Sequence, residues 1–295
     1  MRNLISSPPF LCIPTHLPFS FLTFDLSQLL PVPLLYSPML IGVRNRATLK
    51  KTEPAKLPRR EREREREREM GGAVKVYGVG ASPFVATVLL CLEETGADYE
   101  LVPLDMAARE QRTEPHLSRN PFGKIPVLED GELTLFESRA ISRYVLREYG
   151  GTSATDLPRE SSLEESAMVD VWTEVEAHQY QPAIEHIVQQ CVILPFIGGA
   201  RDQAVVDENV GKLEKVLDVY EARLSTHAYL AGDFFSLADL LHFGITYYLV
   251  AGIEYATLLE SRANVSAWWG RIMARPSVKK VAPLIHLWLK PSSSA

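Results

Sequence analysis

The chain has 295 residues, enough for two domains or for one domain and an extension. Hydrophobic residues make up 46% and charged residues 23%, the ordinary mix of a globular chain with a core to bury. The net charge of −6 hides a split: residues 1–69 carry 12 Lys/Arg against 7 Asp/Glu, leaving 19 against 30 beyond them, which argues against a nucleic-acid surface.

Residues 4–43 are apolar but interrupted by Pro8, Pro9, Pro14, Pro18, Pro31, Pro33 and Pro38. No uninterrupted apolar run approaches the roughly 18 residues of a membrane helix. The stretch LPFSFLTFDLSQLLPVPLLY is a poor secretory signal, lacking a basic start and a compact apolar run that ends at small residues. It has Ser and few acids, as a chloroplast transit peptide would, but is poor in Arg before residue 44; chloroplast targeting stays the lesser alternative. Residues 59–70 read RREREREREREM, the alternation that a GA dinucleotide repeat in an untranslated leader encodes. The expectation is that residues 1–69 are a disordered or spurious extension and that Met70 is the natural start. A charged linker tethering a genuine targeting segment is the other reading. Cys12, Cys91 and Cys191 are widely spaced, with no CxxC and no Cys/His pattern for a disulfide framework, a zinc site or a dithiol centre. Scattered cysteines fit a reducing compartment, most simply the cytosol.

From residue 70 to 151 strands and helices alternate. VKVYGV predicts a strand, and PFVATVLLCLEETG a helix closed by Gly96. Ser82 stands at the turn between them. As the residue before Pro83 it is a favoured helix cap; its hydroxyl could equally point out of the turn at a ligand, and the local pattern leaves both readings open. YELVPLD predicts a second strand, parallel to the first if the helix is a crossover. IPVLEDGELTLFE predicts two strands joined at Asp130-Gly131, and SRAISRYVLREYGG a helix with Ser138 as its N-cap and Gly150 at its end. Residues 152–160 read as a linker rich in turn formers.

Residues 161–295 predict helices throughout. SLEESAMVDVWTEVEAHQY begins with Ser162 and Glu165 in capping-box spacing, and its apolar residues Met168, Val171, Trp172 and Val175 follow helical steps. Val206, Val210, Leu213, Leu217, Tyr220 and Leu224 form the apolar stripe of a further helix. FSLADLLHFGITYYLV repeats the capping-box spacing at Ser236 and Asp239 ahead of a helix apolar all round, hence a core helix. Asp239 is read as a folding residue rather than a catalytic one. Trp268, Trp269, His178, His242 and His286 are read as core or surface residues, because no pair of them has metal-ligand spacing.

The motifs NPFGKIPVLEDGELTLFESRAI, MVDVWTEVEA, VYEARLS, YLAGD, SLADL and AWW stand in an order that resembles the plant phi class of cytosolic glutathione transferases, from about Lys75 to Val281. The resemblance implies an α/β thioredoxin-like N-terminal domain that binds glutathione, followed by an all-α C-terminal domain. It implies that Ser82 contacts the glutathione sulfur, that the backbone of Ile125, ahead of a cis Pro126, pairs with the cysteinyl part, and that Glu137 and Ser138 hold the γ-glutamyl end. Where the family often has a His-Lys pair for the glycyl carboxylate, this chain has Gln111-Arg112; where it often has Gln before the Ile-Pro step, this chain has Lys124. The electrophile pocket is expected between the domains, lined by Met106, Gln189 and Ile193, with Gln189 polar where an apolar residue is the norm. The implied activity is conjugation of glutathione to hydrophobic electrophiles, with reduction of organic hydroperoxides as a related one. No cofactor or metal beyond glutathione as co-substrate is expected, nor a nucleic-acid or membrane partner; a cytoplasmic homodimer is. The alternative is a non-catalytic carrier of flavonoid-like planar ligands. A dithiol oxidoreductase is all but excluded, since Ser82-Pro83-Phe84 offers no thiol at the helix start; intrinsic disulfide reductase activity would overturn that.

Overall fold

A computed structural model describes residues 73–150, 156–253 and 255–289; the expected extension over residues 1–69 lies outside them, and so does the side chain of His286. Strand β1 (Val74–Tyr77) leads through a tight turn into α1 (Pro83–Thr95), β2 (Tyr99–Val102), the short α2 (His116–Arg119), the hairpin of β3 (Val127–Asp130) and β4 (Leu133–Phe136), and α3 (Ser138–Tyr149). The sheet order is β2-β1-β3-β4. β1 and β2 are parallel with Val74 opposite Tyr99, which only a crossover such as α1 allows. β3 runs antiparallel to both neighbours, Leu128 facing Val76 and Val127 facing Phe136. The turn at Gly131 joins the hairpin, and Gly96 closes α1 with φ +69. This is the thioredoxin-like order that the sequence suggested.

The rest of the described chain is helical: α4 (Leu163–Val175), α5 (Gln181–Val188), the one-turn α6 (Leu194–Phe196), α7 (Gln203–Leu224), α8 (Leu237–Leu241), α9 (Phe243–Ala251), α10 (Thr257–Glu260), α11 (Ala263–Met273) and α12 (Pro276–Leu289). Wider π-type turns, Glu176–Tyr180 and Gln189–Ile193, flank α5. The described residues include no helix long and apolar enough to cross a membrane.

α1 explains why both parts are needed. Val85 to Leu92 are buried without a break, because the sheet and α3 cover one side while α9 and α12 cover the other. Fully burying a Leu or Val contributes about 1.5–3 kcal/mol, so an all-apolar helix is stable only between two such layers. At its C-terminal end, Glu94 accepts from Arg275 Nε at 2.7 Å and from Ser277 Oγ, and Lys280 pairs with Glu93 at 2.6 Å. Burial raises the Glu94 carboxyl, but the Arg275 and Ser277 bonds outweigh it and hold the group below its ordinary value.

Several local expectations are corrected. Glu137, with φ +72 and ψ 108, is the cap residue of α3, and Ser138 is its first helical residue. At α4 the Ser162 hydroxyl accepts from the Glu165 N–H at 3.3 Å, but the Glu165 carboxylate pairs with Arg159 instead of completing the box. Val171 does not face the core but is 51% exposed, and the buried face of this segment is Val169, Trp172, Thr173, Glu176 and Tyr180. The α7 stripe is as expected: Val206, Leu213, Leu217, Tyr220 and Leu224 are buried and Val210 is half-buried.

Ser236 and Asp239 do form a capping box at α8. The buried Asp239 carboxylate accepts from the backbone of Leu230 and Ser236, the Ser236 hydroxyl and Trp268 Nε1, all at 2.9–3.0 Å. His242 is buried against Tyr220 and Trp268, and burial pushes its imidazole down to about 3. The neutral ring therefore donates from Nδ1 to the Ala238 carbonyl and accepts the Tyr220 hydroxyl at Nε2. His178 lies at the surface beside Glu174.

Replacing Asp239 by Ala strands several buried donors, each costing about 1–3 kcal/mol. Asp239→Ala is therefore expected to lower the unfolding free energy by about 3 kcal/mol or more, read as a drop in the urea midpoint. An unchanged midpoint would show that the carboxylate is dispensable.

Candidate active site

A cleft of about 1170 Å³ opens where the N-terminus of α1 faces α5, its following π turn and α9. Every residue singled out above for ligand contact lines it: Ser82, Gln111, Arg112, Lys124, Ile125, Pro126, Glu137 and Ser138 for one ligand, and Met106, Gln189 and Ile193 for the other. They come from segments more than 100 residues apart, and the fold gathers them in one place.

Ser82 caps α1 in an extended conformation, φ −66 and ψ 128. Its Oγ accepts from the Val85 N–H at 3.5 Å, longer than an ordinary bond. The cap uses the oxygen as acceptor, and among the described residues no acceptor takes its proton. Cap and outward donor are thus compatible roles. The first turn of α1 also directs the positive end of a 13-residue helix into the cleft.

One end of the cleft is cationic, with Arg109, Arg112 and Lys124. Arg112 Nη1 donates to the Phe122 carbonyl at 2.9 Å, which braces its guanidinium. The NPFG turn approaches closely here: a Cβ on Gly123, at φ +56, would stand 2.8 Å from the Gln111 carbonyl oxygen and 2.9 Å from Arg112 Cδ, so only glycine fits. The Gln111 Oε1 is buried with no partner among the described residues. Turning that amide over presents Nε2, a donor, at the same place. The Lys124 carbonyl is held by His116 Nε2 and Asn120 Nδ2, both at 2.9 Å, and its side chain is exposed.

The Ile125–Pro126 peptide is cis. Among the described residues the Ile125 backbone has no hydrogen-bond partner, which leaves an N–H and a C=O for an extended ligand. Glu137 carries the positive φ noted above, a conformation that costs a non-glycine residue about 1–3 kcal/mol and is found where a site demands it. It sets the exposed Glu137 carboxylate and the buried Ser138 hydroxyl side by side at the start of α3.

The other half of the cleft is mainly apolar. Met106 and Ile193 line it together with Phe196, Ile197, Ile245 and Tyr248, which sequence reasoning did not single out. Gln189 joins Gln181 and Glu185 as a polar edge along α5, where Gln181 Nε2 donates to Glu185 Oε2 at 3.1 Å. Sequence reasoning also missed Arg139, which follows Ser138 and pairs with Glu176 of the first π turn at 2.7 Å. Glu176 is only 1% exposed. Burial pushes its carboxyl up to about 7, against the Arg139 guanidinium that pulls it down. The available signal was a carboxylate in the apolar series Trp172, Glu176, Tyr180 at four-residue steps. Among the described residues no group of three or more His, Cys, Asp or Glu side chains is placed to hold a metal ion.

The glutathione S-transferase N-terminal domain family matches residues 72–147, and the corresponding C-terminal domain family matches residues 180–276. A probable glutathione S-transferase of Oryza sativa subsp. japonica, GSTF1, is 57% identical over 213 residues, covering 72% of this chain and 96% of that protein. Glutathione S-transferase 4 of Zea mays is 59% identical over 210 residues, covering 71% and 92%. Among solved structures, glutathione transferase F7 from Populus trichocarpa superposes with a TM-score of 0.69 at 50% identity, covering 72% of this chain and 99% of that one. Maize glutathione S-transferase I, solved with an atrazine glutathione conjugate, gives a TM-score of 0.69 at 51% identity, covering 75% and 100%.

Glu176 also makes stability depend on pH. Its folded pKa of about 7 lies above the ordinary carboxylate value. Between the two values the folded state holds the extra proton, so this group's contribution to stability is fully present below the ordinary carboxylate value and is lost as pH rises through 7. Glu176→Gln removes that slope: its stability relative to the parent is expected to rise by about 3 kcal/mol from pH 5 to pH 8. Urea unfolding at both pH values checks this, and parallel pH curves would show that Glu176 is ionised throughout.

Proposed function

The chain belongs to the glutathione S-transferase family, and on that premise we propose that Ser82 holds the sulfur of bound glutathione as its thiolate. The protein is a glutathione transferase that joins this thiolate to hydrophobic electrophiles. Its relatives are transferases, so the carrier alternative is not favoured. The observation that carries the proposal is the position of Ser82: a cap hydroxyl with its proton uncommitted, at a helix N-terminus, where the cationic and apolar halves of one cleft meet.

A free thiol has a pKa of about 8.5 and is only a few per cent thiolate near neutrality. A hydrogen bond to a charged group contributes about 1.5–3 kcal/mol, which lowers the thiol pKa by roughly 1–2 pH units. The helix N-terminus adds to it with the same sign. Ser82 need not ionise; it donates one bond. The sulfur then attacks the electrophile, an S–C bond forms and the leaving group departs, and the cleft supplies the proximity.

In the same reading Gln111, Arg112 and Lys124 receive the glycyl carboxylate, the Ile125 backbone pairs with the cysteinyl part, and the Ser138 hydroxyl with the first N–H groups of α3 takes the γ-glutamyl carboxylate while Glu137 faces its ammonium. Arg139, locked by Glu176, stiffens that end. Met106, Gln189 and Ile193 face the electrophile. A cytoplasmic homodimer belongs to the reading through the family resemblance, and the exposed Phe122, Leu133 and Val171 offer apolar surface for a second copy.

The test is conjugation of glutathione to a generic aryl halide by residues 70–295 of the chain and by its Ser82→Ala variant. The variant is expected to lose at least about tenfold in kcat/KM, the loss of one charge-assisted bond. Equal rates would make the hydroxyl a helix cap only. A parent that binds glutathione but does not turn over would favour the carrier.

A further inference from the structure

The turn that presents Ser82 is gripped from the helical part of the molecule. Tyr248 of α9, only 2% exposed, donates its phenol hydroxyl to the Ala81 carbonyl at 2.5 Å, across 167 residues of chain. The Ser82 N–H donates to the Val79 carbonyl at 2.9 Å. Both polar groups of the Ala81–Ser82 peptide are therefore bonded, and the tilt of that peptide plane is set. The plane in turn carries the Ser82 Cα and, one and two bonds further, the Cβ and Oγ.

Packing closes around the same turn on either side. A Cβ on Gly80 would lie 3.0 Å from Leu284 Cβ of α12, and a Cβ on Gly244 would lie 2.2 Å from the Pro83 carbonyl oxygen. These contacts leave the turn little room to shift along α9 or α12, but they are non-directional. Among the described residues, the Tyr248 bond is the one hydrogen bond by which a helical-part side chain orients the peptide next to Ser82. Burial raises the Tyr248 phenol above its ordinary value, so it stays a donor throughout the working pH range.

We propose that Tyr248 is a positioning residue of the transferase reaction: through the Ala81 carbonyl, its hydroxyl fixes where Ser82 Oγ stands relative to the glutathione sulfur. This rests on the reading of Ser82 as the thiolate donor. A hydrogen bond to a thiolate depends steeply on distance and angle, so a small rotation of the Ala81–Ser82 plane weakens it without emptying the site. In the reading above, the groups at its two ends and the Ile125 backbone also hold glutathione, so its binding survives while thiol ionisation suffers.

The test is a double-mutant cycle with Ser82→Ala and Tyr248→Phe, which keeps the ring in the cleft wall and removes only the hydroxyl. Tyr248→Phe is expected to lower kcat/KM about fivefold, the share of one neutral hydrogen bond. At saturating glutathione it should raise the apparent pKa of the kcat/KM profile for the electrophile by about half a pH unit, and it should move the glutathione KM less than twofold, which also reports a folded site. In the Ser82→Ala background the same change should have no further effect, because its route to the sulfur is gone. A parent-like rate and pH profile for Tyr248→Phe, or an equal loss in both backgrounds, would overturn the positioning role while leaving Ser82 in place. A Ser82→Ala enzyme as active as the parent overturns both.

Discussion

The close seating of the first turn of α1 on α9 is the constraint on which the site depends. Gly244 lies so near the Pro83 carbonyl that no side chain fits between them. The other end of α1 is tied to Arg275, just ahead of α12, and to Lys280 within it, through Glu94 and Glu93. With both ends held and an unbroken run of buried residues between, the helix has one position against the helical part. The residue at its mouth inherits that position. A surface loop would not hold a hydroxyl to the tolerance that ionising a bound thiol requires.

The cleft also divides its chemistry between the two parts of the chain. The sheet part supplies groups of strong directionality and charge: the cap hydroxyl, the cations beside the NPFG turn, the backbone at Ile125, and the carboxylate and hydroxyl at the start of α3. These suit an extended, doubly anionic peptide. The helical part supplies Ile193, Phe196, Ile197 and Ile245, which exclude water but specify little. On the proposed reading one partner is selected by hydrogen bonds and the other by surface area, a division suited to an enzyme that takes one fixed nucleophile and varied electrophiles. The polar edge of Gln181, Glu185 and Gln189 is the exception on the helical side.

Local signals in the sequence located most of the frame. Ser82-Pro83 and Gly96 mark the ends of α1, Asp130-Gly131 marks the hairpin, and the Ser236–Asp239 box marks α8, because caps and turns are encoded within a few residues. The residues placed in the cleft on family resemblance do line it, since their motifs are those of the elements that carry them. What stayed hidden is tertiary. Arg139 and Glu176 meet across 37 residues, and Tyr248 reaches Ala81 across 167; periodicity marks Glu176 as a carboxylate on an apolar face but names neither partner. Glu165 has the spacing of a capping box but is captured by Arg159, and Val171 fits an apolar helical step yet faces outward. In the first case a side chain six residues away competes for the carboxylate; in the second no neighbour among the described residues covers the position. The π turns around α5 were equally invisible, because a widened turn changes which faces align without changing composition.

The stabilisation of a bound thiolate by the Ser82 hydroxyl can be read without turnover. Ultraviolet difference absorption of glutathione bound to the protein, followed as a function of pH, reports the thiolate directly. The account predicts a bound-thiol pKa roughly 1–2 pH units below that of free glutathione, with most of the difference lost in Ser82→Ala. A bound thiol that ionises at the same pH as free glutathione would contradict it.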